Sequence, residues 1–96
     1  MAAEKLTDEA LQSALAGLDR WALDDAGNGI EKMYQFEDFN AAFGFMSRAA
    51  LKAEQLNHHP EWFNVWNRVE VRLSTHDAGG VTSLDIALAG FMDGIA

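Results

Sequence analysis

Apolar positions recur along this 96-residue chain at helical spacing in some stretches and in alternation in others, and each change of period marks an element. Leu11, Leu15 and Leu18 fall on one stripe of a first helix. Thr7 is placed to cap it, Asp8 and Glu9 lie in its favourable first turn, and Gly17 marks its end. Two extended runs follow, around Trp21–Asp24 and Ile30–Phe36, separated by Asp25-Ala-Gly27-Asn28-Gly29. Glycines and an Asn-Gly pair between such runs predict a β-hairpin. Ile30, Tyr34 and Phe36 share one face of its second strand, and Lys32 interrupts the alternation. Asp38 is a plausible cap for a second helix, in which Phe39, Phe43, Met46, Ala50 and Ala53 form a stripe expected to face a sheet. Phe45 falls off that stripe, which suits either an interface or core packing, while Arg48, Lys52 and Glu54 point toward solvent or a site. Pro60 disfavours helical geometry at His59, so the helix should end at Asn57 or His58.

The clearest strand runs from Val65 to Thr75. Val69, Val71 and Leu73 point one way and Arg68, Glu70, Arg72 and Ser74 the other, the pattern of an antiparallel sheet covered on a single side. Asp77-Ala-Gly79-Gly80 reads as a turn, and Val81-Thr82 is expected to start a short fourth strand. Ser83 can then cap a last helix with Leu84, Leu88, Phe91 and Ile95 on one stripe and Asp85 in its first turn. The order α-β-β-α-β-β-α predicts an α+β fold, a four-stranded antiparallel sheet with three helices on one face. There is no internal repeat or linker, and residues 1–96 read as a single domain.

Composition narrows the function. Hydrophobic residues make up 49% of the chain, including three tryptophans and six phenylalanines, enough for a core. A chain this short still buries a modest share of its surface, so a partner subunit would help. The net charge of −8 argues against nucleic acid or an anionic membrane as partner, and the acidic residues are dispersed as on a solvated surface. The absence of cysteine excludes disulfides, thiolate nucleophiles and zinc–thiolate sites. The start of the chain has no apolar signal core, and no run approaches the ~18 apolar residues of a membrane helix, so a cytoplasmic location is the default expectation.

The candidate chemistry gathers at the three histidines. His58 and His59 sit where the second helix is stopped by the only proline, and His76 follows the clearest strand. An unperturbed imidazole titrates near about 6.5, so these side chains suit proton transfer near neutral pH. Adjacent histidines point in different directions and chelate poorly, although three histidines and a carboxylate form a metal site in the right fold. Hydrogen-bonded structural histidines are the other reading. A Ser-His-Asp arrangement can be written with Ser74 or Ser83, but no Gly-x-Ser-x-Gly elbow surrounds either, and Gly79-Gly80 alone is no phosphate loop. A helix end, a strand end and the first turn of the next helix can meet at one rim of such a sheet. That would place His58, His59, His76 and Asp85 around one cleft, a metal-free set suited to acid–base work on a small polar molecule.

At these residues the sequence resembles the pterin-4a-carbinolamine dehydratase family. The family's spaced motif reads here as Glu54, His58, His59, Pro60, Trp66, His76 and Asp85, and the segments His-His-Pro-Glu-Trp-Phe-Asn-Val and Leu-Ser-Thr-His also match. The likeness runs from about Leu6 to the C-terminus. It implies the same α-β-β-α-β-β-α fold and a homodimer joining two sheets edge to edge, or a homotetramer built through helices. It implies dehydration of 4a-hydroxytetrahydropterin to quinonoid dihydropterin, which recycles the pterin after an aromatic amino-acid hydroxylase has used it, with no metal or redox cofactor. Carried over by motif position, His58 and His76 are the acid–base candidates and His59 mainly holds the pterin. Pro60 fixes the loop, and the backbone around Thr75, His76, Asp77 and Ala78 contacts the ring's amide-like edge. Asp85 is expected to orient His76, or else to be a simple helix-start carboxylate. Glu54 is either a solvated helix residue or part of the site, and Trp62 and Trp66 either wall the pocket or pack in the core. Some family members also bind a transcription factor and stabilise its dimer, so a protein-binding module is the alternative function.

Overall fold

The structure, a computed structural model, describes residues 3–96. Three helices, α1 (Asp8–Ala16), α2 (Phe39–Leu56) and α3 (Ser83–Ile95), accompany four strands, β1 (Ala22–Leu23), β2 (Ile30–Gln35), β3 (Glu61–Val65) and β4 (Arg68–Leu73). The strands form one antiparallel sheet in the order β1-β2-β4-β3. The expected α+β class and element order are therefore those of the molecule.

Local chemistry sets most boundaries. The Thr7 side chain accepts the Ala10 N–H at 3.2 Å and starts α1, which ends at Gly17. In the β1–β2 hairpin, Asp24 Oδ1 accepts the N–H groups of Gly27, Asn28 and Gly29, and Gly27 takes a positive φ of 78°. Asp38 caps α2 by accepting the Ala41 N–H at 2.8 Å. At the other end Asn57 adopts the left-handed conformation with φ 49°, so the helix stops where Pro60 predicted.

Two strand assignments differ from expectation. The run from Val65 is not one strand: β3 and β4 form a hairpin, with Val65 paired to Arg68 across Trp66-Asn67. Trp66 has φ 49°, and asparagines supply what a glycine usually would. Asn64 Nδ2 donates to the carbonyls of Trp66 and Arg68, and Asn67 Nδ2 donates to Phe36 O. Val81-Thr82 is not a strand. The chain leaves β4 through a 3-10 turn, His76–Ala78, closed by a single bridge between Thr75 and Gly80. Val81 is buried, and its carbonyl accepts the Leu6 N–H at 2.8 Å.

The helices cover one face of the sheet. Ile30, Tyr34, Val69, Val71 and Leu73 point into the core, and Glu31, Met33, Gln35 and Glu70 face the other side. Lys32, which broke the alternation, also points inward. Its ammonium lies 2.7 Å from Asp93 Oδ1 on α3, and that same oxygen accepts from Tyr34 Oη and Trp21 Nε1. The stripe expected on α2 is corrected. Its buried line is Ala42, Phe45, Ala49 and Ala53, while Phe39, Phe43 and Ala50 are exposed. Both lines have helical spacing. Alanines allow the close approach to the sheet, and Phe45 alone fills the gap against Tyr34 and Phe36, at ring-centroid distances of 4.7 and 5.0 Å. On α3 the buried residues are Asp85, Leu88, Ala89 and Met92, with Leu84, Phe91 and Ile95 half-buried, and Thr82 rather than Ser83 is the cap.

Truncating Phe45 removes a fully buried aromatic ring, so Phe45→Ala should lower the unfolding free energy by about 3–5 kcal/mol in urea titrations, where Phe43→Ala should cost far less. Burial raises the Asp93 carboxyl, but hydrogen bonds from Lys32, Tyr34, the Asp19 N–H and Trp21 outweigh it and hold it below its ordinary 3.8. A group depressed in the fold contributes stability above its unfolded value, and that contribution is lost as pH falls through the folded one. Asp93→Asn should therefore destabilise at neutral pH and flatten the loss of melting temperature below about pH 4, measured against wild type.

Candidate functional site

Four chain segments converge at one end of the sheet. β3 begins at Glu61, directly after His58-His59-Pro60, and Glu61 pairs with Arg72 near the end of β4. The chain then passes through Thr75 and the 3-10 turn into the first turn of α3. The C-terminus of α2, the start of β3, the exit from β4 and the N-terminus of α3 thus meet at this rim; the sequence led to the expectation of the helix end, the strand end and the α3 start there, and β3 is the addition.

His58 is the first residue beyond the left-handed Asn57. Its N–H returns to Ala53 O at 3.0 Å, which turns the imidazole back under the helix, where the residue is 9% exposed. There Nε2 lies 2.5 Å from Asp85 Oδ1. Asp85 is fully buried, and an unpaired carboxylate at such a position would be costly. Its other oxygen, Oδ2, accepts the Thr75 hydroxyl and the Thr82 N–H, each at 2.8 Å. Thr82 in turn caps α3, accepting the Leu84 N–H at 3.2 Å, and its hydroxyl lies 2.7 Å from that of Thr75. Asp85 is therefore both the reciprocal member of a capping box and the partner of a buried imidazole. The expected pairing of Asp85 with His76 is corrected, since Asp85 engages His58.

His59 points outward, and its Nε2 pairs with Glu54 Oε2 one helical turn earlier. Both side chains are more than half exposed, so the pair orients the ring rather than anchoring the fold. Pro60 is half-buried and leads into β3. His76 is exposed, and its ring makes no hydrogen bond to another described residue. Its position one residue after Thr75 places it next to the Asp85 cluster in sequence and on the rim in space. Asp77 is exposed and Ala78 half-buried in the same turn. The Ala78 N–H is already used by Thr75 O, whereas the N–H groups of His76 and Asp77 open the turn and have no carbonyl within it.

The two tryptophans part company. Trp62 sits on the covered face opposite Val71 and packs against the core. Trp66 lies just beyond the far end of β3, roughly 20 Å along the strand direction from Pro60, and is 64% exposed. It does not wall this site within the same chain. A hollow of about 630 Å³ on the uncovered face of the sheet, lined among others by Arg20, Met33, Phe63 and Glu70, contains none of the histidines. The histidines are at the rim, and the hollow is elsewhere. Among the described residues, no three histidine or acidic side chains are arranged to hold a metal, and no helix is long and apolar enough to cross a membrane.

Sequence reasoning missed the hydroxyls of Thr75 and Thr82. The signal for Thr82 was present in Thr82-x-x-Asp85, a capping-box spacing with Asp in place of Glu. Thr75 carried none, because its contact with Asp85 spans ten residues and depends on the 3-10 turn.

Comparison with known proteins gives the family of the chain. The family profile described as pterin 4 alpha carbinolamine dehydratase matches residues 4–95. A protein of Bradyrhizobium diazoefficiens, provisionally named pterin-4-alpha-carbinolamine dehydratase, is 58% identical over 94 residues, covering 98% of this chain and 94% of its own. One from Rhizobium etli with the same provisional name is 56% identical over 93 residues, covering 97% and 92%. A crystal structure of a transcriptional coactivator/pterin dehydratase from Brucella melitensis superposes with a TM-score of 0.95 at 50% identity, over 97% of this chain and 99% of that one. With the profile spanning nearly every residue and the buried His58–Asp85 pair inside it, the chain belongs to the pterin-4a-carbinolamine dehydratase family.

Proposed function

We propose that the protein dehydrates 4a-hydroxytetrahydropterin to quinonoid dihydropterin and water, recycling in the cytoplasm the pterin used by an aromatic amino-acid hydroxylase. The observation that carries this reading is the buried His58–Asp85 pair on the rim that also bears His59 and His76, within a chain of this family. In the reaction a ring-nitrogen lone pair expels the 4a hydroxyl. Hydroxide leaves poorly, so an acid must protonate the oxygen as the bond to C4a breaks, and a base must take a ring proton. His58 and His76 share these two proton transfers, and Asp85 fixes the His58 ring. His59, steered by Glu54, holds the pterin, with Pro60 setting the loop between them. The N–H groups of His76 and Asp77 and the backbone of Thr75 and Ala78 meet the ring's amide-like edge. No electrons change hands, so no redox cofactor is required.

A second reading is favoured by a separate surface. Phe39 and Phe43 lie with ring centroids 5.8 Å apart and tilted by 42° on the outer face of α2, and together with Leu51 they are 49%, 56% and 67% exposed. Such an apolar face suits association through helices, either with further copies of the chain or with a protein partner such as a transcription factor. The edge strand β3, with Phe63 and Val65 exposed, suits pairing of two sheets into a homodimer.

A coupled assay tests the enzyme reading. A hydroxylase generates the carbinolamine, and its ultraviolet decay is followed with a chelator present throughout. Wild type should accelerate the decay, and His58→Ala and His76→Ala should each lose about 10²-fold or more. No acceleration by folded wild type would overturn the dehydratase assignment. Phe43→Glu should leave the dehydration rate unchanged while reducing any helix-mediated tetramer to dimers in sedimentation velocity. A loss of both together in a folded variant would contradict the separation of the two surfaces.

A further inference from the structure

Asp85 is held by more donors than the His58 pairing requires, and those donors have a direction. The Thr75 hydroxyl has a single proton, and the carboxylate oxygen Oδ2 at 2.8 Å takes it. The Thr75 oxygen must then accept in its contact of 2.7 Å with Thr82, so the Thr82 hydroxyl is the donor there. The Thr82 oxygen itself accepts from the Leu84 N–H at 3.2 Å. The chain of protons therefore runs one way, from the first turn of α3 through Thr82 and Thr75 to Asp85 Oδ2. The Thr82 N–H reaches the same oxygen at 2.8 Å. With Oδ2 occupied twice, the carboxylate cannot rotate, and only Oδ1 is left to face His58 Nε2 at 2.5 Å.

We infer that Thr75 and Thr82 are positioning residues of the catalytic centre: their hydroxyls form a one-way relay that locks the Asp85 carboxylate and thereby fixes the neutral His58 ring as the Nε2–H tautomer, leaving Nδ1 as the nitrogen that meets substrate. Both hydroxyls act through Asp85, with no need to touch the pterin. Thr82 is fully buried and Thr75 half-buried, so the fold shields the Thr82 end of the relay fully and the Thr75 end in part. Nδ1 of His58 has no partner among the described residues, and the absence of any sealed, unpaired side-chain nitrogen or oxygen among them means that Nδ1 retains access to solvent. A nitrogen that is unpaired and reachable beside one that is locked is the arrangement that a directed proton transfer needs. Thr75→Val keeps the shape and removes only the hydroxyl. It strands the Thr82 proton and frees one side of Oδ2, so the carboxylate can turn away from the imidazole.

The role of the relay in turnover rests on the dehydratase reading, whereas the tautomer does not, and the experiment separates them. Nitrogen-15 shifts of the neutral His58 ring in the wild-type protein should show a protonated Nε2 and a bare Nδ1. Thr75→Val should shift the ring toward a mixture of tautomers, and Thr75→Ser should restore the wild-type spectrum. In the carbinolamine assay Thr75→Val should lower kcat about tenfold or more with KM little changed, again rescued by Thr75→Ser. Should Thr75→Val fail to fold, Thr82→Ala and Thr82→Ser make the same comparison from the other end of the relay. A wild-type ring protonated on Nδ1, or a tautomer indifferent to loss of the hydroxyl, would overturn the inference even if the enzyme is active. Serine variants as impaired as their hydroxyl-free counterparts would overturn it too. A wild type without dehydratase activity but with the expected tautomer would sink the functional reading alone.

Discussion

A carboxylate with no exposure to water has to find all its partners inside the fold, and Asp85 finds them on three separate segments. Its partners are the imidazole after α2, a hydroxyl after β4, and the cap of its own helix. Removing any of these leaves charge or hydrogen-bonding capacity uncompensated in a low-dielectric setting, which typically costs several kcal/mol. The rim is thus ordered by the same group that holds the His58 imidazole. The helices and the sheet bring the segments within reach, and Asp85 fixes how they meet.

The second polar centre has a different task. Asp93 near the end of α3 receives Lys32, Tyr34 and Trp21, tying that helix to the first hairpin on the same covered face of the sheet. One carboxylate therefore sits near each end of α3, and each is bound to a different part of the sheet layer. Between them the apolar contacts of Leu88, Ala89 and Met92 set the spacing. A short domain gains orientation in this way that a small core of non-directional contacts would define less sharply.

What the sequence made legible follows from what is local. Thr7, Asp38 and Pro60 act on neighbouring backbone, so the starts of α1 and α2 and the end of α2 could be read in advance. The candidate site residues could be named because a spaced motif groups them. The β3–β4 turn was not, since it rests on a left-handed Trp66 and two asparagine side chains where glycine was the cue sought. The buried line of α2 was misjudged because two phenylalanines outweighed three alanines in a reading that scores hydrophobicity alone. Close packing against a sheet rewards small residues, and no single-residue scale records that. Lys32 looked like a flaw in a strand, and its explanation, Asp93, lies 61 residues away. Similarly, Asp85 was matched to the nearer histidine in sequence, whereas contact across 27 residues decided the pairing.

β3 has a consequence for how the protein behaves on dilution. It is the last strand of the sheet, and its first residue follows Pro60 directly. The backbone that any neighbouring chain would pair with is therefore continuous with the backbone that presents His59. Docking at that edge would stiffen the rim from outside, and undocking would loosen it while the core stayed intact. Were copies of the chain to pair at this edge, protein concentration would set the order of the rim through a five-residue segment, and dilution would relax the rim in a chain that is still folded.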